Sequence, residues 1–260
     1  MIRLVRSEMQ KLWTIRSTAV LLALTAVAAG LIGLAVGLAP HSRGVAEGLF
    51  PPKGTVLWFN DVFSAMQIAQ DFALVLGILV ITSEYRHKTV TPTFLTEPRR
   101  PLVTAVKLLV SALGGAVVAV TAGIAGLVLG WALVSSGYGS SLEMLTQFQK
   151  AIPGIVAVAV LFAVYGLGIG SLLKNQVLAL VTGLGVSAVV EPIIVGVWPS
   201  VGRWLPSQAA RALEPTTSSG GFGGGVANLL TSWEGALVLL GYGLALAAAG
   251  SFTTMRADVT

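Results

Sequence analysis

Two carboxylates stand inside stretches that are otherwise apolar. Asp71 lies between Gln70 and Phe72, one turn after Gln67, and Glu191 lies between Val190 and Pro192. An ionised side chain in hydrocarbon costs about 2.5–3.5 kcal/mol or more, so such a group turns toward a partner, a neighbouring helix or a water-filled path. Gln67, Gln70, Asp71 and Glu191 are therefore the candidate residues of a substrate path. For Asp71 the chemistry is either a polar point on that path, or a proton-coupled site. The structural alternative is a carboxyl hydrogen-bonded to Gln67, Gln70 or the next helix, and the same alternative holds for Glu191. Pro192 removes a backbone donor just after Glu191 and can kink its helix.

The second concentration of polar chemistry is the run from Ser83 to Pro101, which holds Glu84, Tyr85, Arg86, His87, Lys88, Thr89, Glu97, Arg99 and Arg100. It mixes both signs, and Pro92 and Pro98 punctuate it. The residue before a proline disfavours the α region, so a short helix between the two prolines is expected. A loop that served only to anchor topology would need neither mixed charge nor a fixed shape. A rigid, helix-bearing loop suits a surface that receives force from a soluble motor.

Other chemistries are missing. The chain has no cysteine, which excludes disulfides and thiolate sites, and its two histidines, His41 and His87, are too few and too far apart for a metal cluster. No phosphate-cradling Gly-x-x-x-x-Gly-Lys-Ser/Thr run occurs, so the chain has no P-loop of its own. No His-Glu-x-x-His or Gly-x-Ser-x-Gly occurs either. No catalytic residue, metal ligand or bound cofactor is expected, and a membrane enzyme or signalling anchor is disfavoured.

These groups must be positioned by helices in a bilayer. Of 260 residues, 55% are hydrophobic and 10% charged, against roughly 25% charged in soluble domains. A span takes roughly 20 apolar residues, and six segments qualify, at about 18–39, 62–82, 108–134, 151–173, 176–198 and 233–254. The second must reach back from Phe72 to about Val62 to be long enough, which puts Asp71 near mid-membrane. Residues 1–17 are too long for a signal-peptide n-region, and the apolar run after them, Thr18 to Ala39, is longer than the roughly 7–15 residues of a signal h-region, so they are expected to form an interfacial amphipathic helix. Its Ile2, Val5, Met9, Leu12 and Trp13 share one face, and Arg3, Arg6 and Lys11 lie mostly elsewhere, a pattern that suits the headgroup plane. Three Gly-x-x-x-Gly pairs, Gly33/Gly37, Gly126/Gly130 and Gly166/Gly170, favour close packing within the chain over a dimer seam. Lys174-Asn175-Gln176 is a very short turn between the fourth and fifth spans. Residues 199–213 make one or two short helices, and 216–225 read as a loop.

Cytoplasmic loops collect Lys and Arg. With the N-terminus inside, Arg3, Arg6, Lys11, Arg16, Arg86, Lys88, Arg99, Arg100, Lys107, Lys174 and Arg256 are inside. Only Arg43, Lys53, Lys150, Arg203 and Arg211 are then outside. Both termini are thus expected in the cytoplasm. The net charge of +5 reflects topology, and no nucleic-acid partner is expected.

The run Gly77-Ile-Leu-Val-Ile-Thr-Ser-Glu84-Tyr85-Arg86-His87-Lys88-Thr89, followed by Phe94-Leu95-Thr96-Glu97-Pro98-Arg99-Arg100 and Lys107, resembles the permease subunits of type-2 ABC exporters. The similarity is greatest to the compact actinobacterial branch for multidrug, antibiotic or peptide export. It extends to the charged N-terminal helix, the six-span layout and the Arg203-Trp204-Leu205-Pro206 segment before the last span. The resemblance implies an all-α integral membrane permease forming one domain, in a bacterial plasma membrane. Two such chains, identical or paralogous, would pair with two copies of an ABC ATPase that binds the ATP and Mg. Glu84 to Thr89, with Glu97, Arg99 and Arg100, would hold the coupling helix that docks on the ATPase. The N-terminal helix with Arg3, Arg6, Lys11 and Trp13 would lie along the inner face against lipid and touch the ATPase. Arg203, Trp204, Leu205 and Pro206 would belong to short re-entrant helices that close the path outside. The loop from Pro40 to Asp61 is too short for a large external domain, which leans toward small amphipathic cargo or modified peptides. The competing expectation is an ion-gradient-driven secondary transporter or channel that uses Asp71 as its coupling group.

Overall fold

The computed structural model describes residues 2–14, 16–38, 51–86, 100–214 and 229–257. Among them every regular element is helical. Six helices are long and apolar enough to cross a membrane: Arg16–Leu38, Val56–Arg86, Leu102–Ser135, Ser141–Leu173, Gln176–Val197 and Ser232–Ser251, here spans 1 to 6. The chain is thus an all-helical protein with the makings of a multi-pass membrane protein. The N-terminal helix is Ile2–Thr14, and two short helices, Pro199–Gly202 and Pro206–Arg211, follow span 5.

Three spans begin earlier than their hydropathy suggests, span 3 at Leu102 against about 108. Span 2 is expected from about Val62 but starts at Val56, capped by Thr55, whose hydroxyl accepts from the Trp58 N–H at 3.3 Å. The polar pair Asn60-Asp61 disguises this turn, yet Trp58, Phe59 and Phe63 within it are fully buried and interlock edge-on and stacked. Span 4 is expected from about 151 but starts at Ser141, capped by Ser140, which accepts from the Glu143 N–H at 3.2 Å. Its extra turns carry Met144 and Phe148 against Phe63 of span 2 and Gly130 of span 3. Pro153 sits inside this helix without ending it.

Span 4 is the most buried of the six and acts as the axis. Glycines let its neighbours reach it. A Cβ at Gly77 of span 2 would stand 2.0 Å from the Ala163 carbonyl oxygen, and one at Gly166 would stand 2.2 Å from the Leu74 oxygen, so the two backbones touch directly. Gly115 of span 3 meets the Ala159 oxygen, and Gly250 of span 6 meets Ser171, in the same way. All three Gly-x-x-x-Gly pairs pack against helices of their own chain: Gly33 and Gly37 on Leu129 and Leu133, Gly126 and Gly130 on Met66 and Met144, Gly166 and Gly170 on Leu74 and Ile81. The turn from span 4 to span 5 is made by Lys174 alone in the left-handed region (φ 54°), and Asn175 then caps span 5 by accepting from the Leu178 N–H at 3.1 Å.

The N-terminal helix is docked on the bundle. Leu12 is buried, and Met9 and Leu12 close an apolar cleft of about 400 Å³ together with Thr18 and Leu22 of span 1 and Leu113 and Val117 of span 3. Of the expected apolar face, Val5 and Leu12 pack on the bundle, and the side chains of Ile2 and Trp13 lie outside the described residues.

Candidate functional site

Polar side chains gather at two places, one at each end of span 2. At its Arg86 end, four charges close a ring. Lys107 Nζ lies 2.8 Å from Glu8 Oε2 and 2.7 Å from Glu84 Oε1, Lys11 Nζ lies 3.1 Å from Glu84 Oε1, and Lys11 also pairs with Glu8. Each acid touches both bases and each base touches both acids, so the ring is neutral and its signs alternate. The N-terminal helix supplies Glu8 and Lys11 one turn apart, the end of span 2 supplies Glu84, and the first turns of span 3 supply Lys107. Glu8, Glu84 and Lys107 are 5%, 8% and 3% exposed at the side chain, and Lys11 is 46% exposed. Burial alone would push the Glu8 carboxyl up, but Lys107 and Lys11 outweigh it and hold it below the ordinary carboxylate range. Burial would likewise push the Lys11 amine down, and Glu8 and Glu84 outweigh that and raise it.

Glu84, one of the residues expected to dock on a partner, is 8% exposed and held by Lys107 and Lys11, and Lys107 itself is almost fully buried. Tyr85 is half-buried, and Arg86 is exposed and reaches Gln176 of span 5 at 3.4 Å. His87, Lys88, Thr89, Glu97 and Arg99, and the helix expected between Pro92 and Pro98, lie outside the described residues, as do the side chains of Arg3, Trp13 and Arg100. Arg6 is exposed on the N-terminal helix.

At the Val56 end, span 2 carries a polar stripe. Asn60, Ser64, Gln67 and Asp71 follow one another at steps of four, three and four, which puts them on one helical face, and all four are half-buried. A 3-10 turn, Ala65–Ile68, interrupts the helix in the middle of the stripe. Asp71 is the midpoint of span 2 (Val56–Arg86). Gln67 donates through Nε2 to Glu214 Oε2, which ties the stripe to the segment following the short helices. The expectation that Asp71 bonds to Gln67, Gln70 or another helix is not met: among the described residues its carboxyl has no hydrogen-bond partner, and Gln70 is half-buried beside it.

Glu191 arrives from span 5. A π-turn, Val186–Val190, directly precedes it, and its N–H bonds back to the Val186 carbonyl, five residues earlier. Pro192 offers no N–H to draw that turn tight, and the wider turn rotates Glu191 relative to a regular helix; such turns recur at functional sites. Glu191 is 1% exposed, and its Oε2 accepts the Ser207 N–H at 2.8 Å at the start of the second short helix. Nearby in the bundle, the Tyr165 ring of span 4 meets the Tyr242 ring of span 6 edge-on, with 6.2 Å between centroids. Glu191 Oε1, Gln208 Oε1 and Glu214 Oε1 are buried without a hydrogen-bond donor. Burial pushes the Glu214 carboxyl up to about 7, with Arg211 opposing.

Arg203, Trp204 and Leu205 form the turn between the short helices, with the Arg203 guanidinium 5.4 Å from the Trp204 ring centroid, and Pro206 opens the second helix and is buried. That helix packs on span 6, where a Cβ at Gly235 would stand 2.4 Å from the Ala209 oxygen. Glu8, Lys107, Asn60, Ser64, Gln208 and Glu214 escape the sequence reading as site residues. Only the stripe has a sequence signal, its four-three-four spacing. Compared with protein-family models and with curated proteins, the chain matches none of them.

Proposed function

We propose that the chain is the membrane-spanning permease subunit of an ABC exporter, working as a pair and driven by separate ATPase subunits that supply the ATP and Mg chemistry. The observation that carries this reading is the charge ring. Glu84 and Lys107 stand at the two roots of the polar segment 87–99 and are joined at 2.7 Å, and Glu8 and Lys11 bind the N-terminal helix to the same point. A push applied to that segment would therefore move spans 2 and 3 and the N-terminal helix together. This is what a permease needs if segment 87–99 holds a coupling helix, and it is more than a topological anchor needs. In this reading both termini are in the cytoplasm of a bacterial cell, and the outward face is the Val56 end of span 2. The short helices with Arg203, Trp204, Leu205 and Pro206 close the path there. The half-buried stripe of Gln67 and Asp71 faces the path between two permeases, because an unpaired mid-span carboxylate is too costly to leave against lipid.

Asp71 also favours a second reading, a transporter driven by an ion gradient, since an unpartnered carboxyl at the midpoint of a span is suited to carry a proton. The test is co-purification. The chain is expressed with its neighbouring genes and solubilised in mild detergent, and a soluble ATPase is expected to accompany it in equal amount. Arg99→Glu with Arg100→Glu is expected to weaken that association. Glu84→Arg is the poorer probe of docking, because it breaks the ring whatever the partner. A chain that purifies alone and moves its cargo on a proton or sodium gradient, with Asp71→Asn inactive, would establish the second reading.

A further inference from the structure

We infer that the cleft beside the N-terminal helix holds one acyl chain of an anionic phospholipid, drawn from the leaflet at the Arg86 end of span 2, with the Arg6 and Arg16 guanidinium groups on its phosphate. Such a site needs only a chain seated in a bilayer, and it is compatible with either transport reading.

The cleft has the shape and lining of a chain site. Its volume is about 400 Å³, and the N-terminal helix, span 1 and span 3 enclose it. Leu12 and Leu76 are buried and make its floor, and Leu113 and Val120 are exposed and make its rim. Small residues keep the span 3 wall low: a Cβ at Gly114 would stand 2.6 Å from Leu76 Cδ2 and crowd the floor. That wall, from Leu113 to Thr121, is about 12 Å long at the helical rise, which fits within the roughly 15 Å of hydrocarbon in one leaflet. The lining offers a polar ligand little. It holds no charged side chain, and the Thr121 hydroxyl is turned back to donate to the Val117 carbonyl at 2.9 Å.

Charge decides which lipid. The ring absorbs the two acids beside the cleft, since Glu8 and Glu84 are each held by both Lys11 and Lys107. Arg6 and Arg16 are exposed, and among the described residues neither has an ion-pair partner. Arg6 lies one turn before Met9, and Arg16 lies two residues before Thr18, so these cations stand on two of the helices that frame the cleft, at its headgroup end. Apolar burial and attraction to an anionic headgroup add in binding to lipid. An amphipathic cation is the wrong occupant, because its head would meet Arg6 and Arg16. The lipid would also complete the seat of the N-terminal helix, with Glu8 and Lys11 on the ring and Met9 and Leu12 on the acyl chain.

The test is native mass spectrometry of the full chain, delipidated in detergent and titrated with phosphatidylglycerol or with phosphatidylcholine of the same acyl chains. One phosphatidylglycerol per chain is expected to bind about tenfold to thirtyfold more tightly than phosphatidylcholine, since each basic residue near an anionic headgroup is worth about fivefold. Arg6→Gln with Arg16→Gln should bring the two lipids within about twofold of each other. Both arginines are exposed, so the circular dichroism melt of this variant should match the wild type. Val117→Phe fills the cleft and should weaken the tight phosphatidylglycerol about tenfold or more. Val128→Phe, at an exposed position of span 3 outside the cleft, should not. If Val117→Phe does not fold, Val120→Trp closes the cleft from its exposed rim and should give the same loss. The proposal is overturned if the wild type binds the two lipids alike, if the double arginine variant keeps the preference, or if the cleft-filling variant holds phosphatidylglycerol as tightly as Val128→Phe does. No ATPase takes part in the titration, so its outcome and that of the co-purification are independent.

Discussion

Lys107→Met removes the most buried member of the ring. Lys107 holds two carboxylates, at 2.7 and 2.8 Å. At an effective dielectric constant of about 20, each contact is worth about 6 kcal/mol before desolvation is counted. Desolvation of a 3%-exposed ammonium offsets most of this, but the variant does not recover it in full, because Glu8 and Glu84 stay buried and share only the half-exposed Lys11. Loss of one partner from a buried ion pair costs about 3–5 kcal/mol, and that is the expected destabilisation. Adding Glu84→Gln leaves Glu8 with Lys11, a neutral pair, and should restore about 1–3 kcal/mol of the loss. Reversing the pair, Glu84→Lys with Lys107→Glu, should not rescue. It places an ammonium beside Lys11 and a carboxylate beside Glu8, so two of the four contacts become repulsive. The assay is unfolding in mixed micelles by increasing SDS fraction, followed by far-ultraviolet circular dichroism, with each variant compared at its midpoint. The ring argument is refuted if Lys107→Met unfolds at the wild-type midpoint, if the Glu84→Gln loss simply adds to it, or if the reversed pair is as stable as the wild type.

Two further outcomes are expected from the same assay. Glu214 has its carboxyl raised to about 7 by burial, so the fold favours its protonated form: the stabilisation is complete below about pH 4.5 and is lost as pH rises toward 7, and Glu214→Gln should flatten that slope. Gly77→Ala places a Cβ 2.0 Å from a backbone oxygen of span 4, which no rotamer relieves, and should cost about 3 kcal/mol or more, whereas Gly30→Ala, with nothing within 4 Å, should be neutral; equal midpoints for the two would contradict the axial role of span 4.

The six spans are legible in the sequence because hydropathy over roughly 20 residues is a direct measure of what a bilayer accepts. Their ends are less legible where burial is inside the protein. The Asn60-Asp61 pair hides a turn built on Trp58 and Phe59, and Lys150 with Pro153 hides the start of span 4, because a polar residue facing a neighbouring helix looks the same in a sequence as one facing water. Asp71 and Glu191 stand out because each is isolated in an apolar run. The ring does not, because each of its members sits in a charged flank that the positive-inside pattern already explains. Nothing local to Glu84 says that its partners are residues 8, 11 and 107. Glu214 is hidden for a related reason: its burial comes from short helices whose fold back onto spans 2 and 6 has no periodic signature.

The ring also orders the making of the protein. Glu8 and Lys107 are 99 residues apart in the chain yet 2.8 Å apart in space. The N-terminal helix leaves the ribosome before span 2 exists, and Lys107 emerges only with span 3. Until then Glu8 and Lys11 have each other and the lipid headgroups, but no seat. That helix is thus fixed in place only after the third span has been delivered, so nascent chains cut between residues 86 and 107 should keep it open to protease, and chains that include Lys107 should shield it.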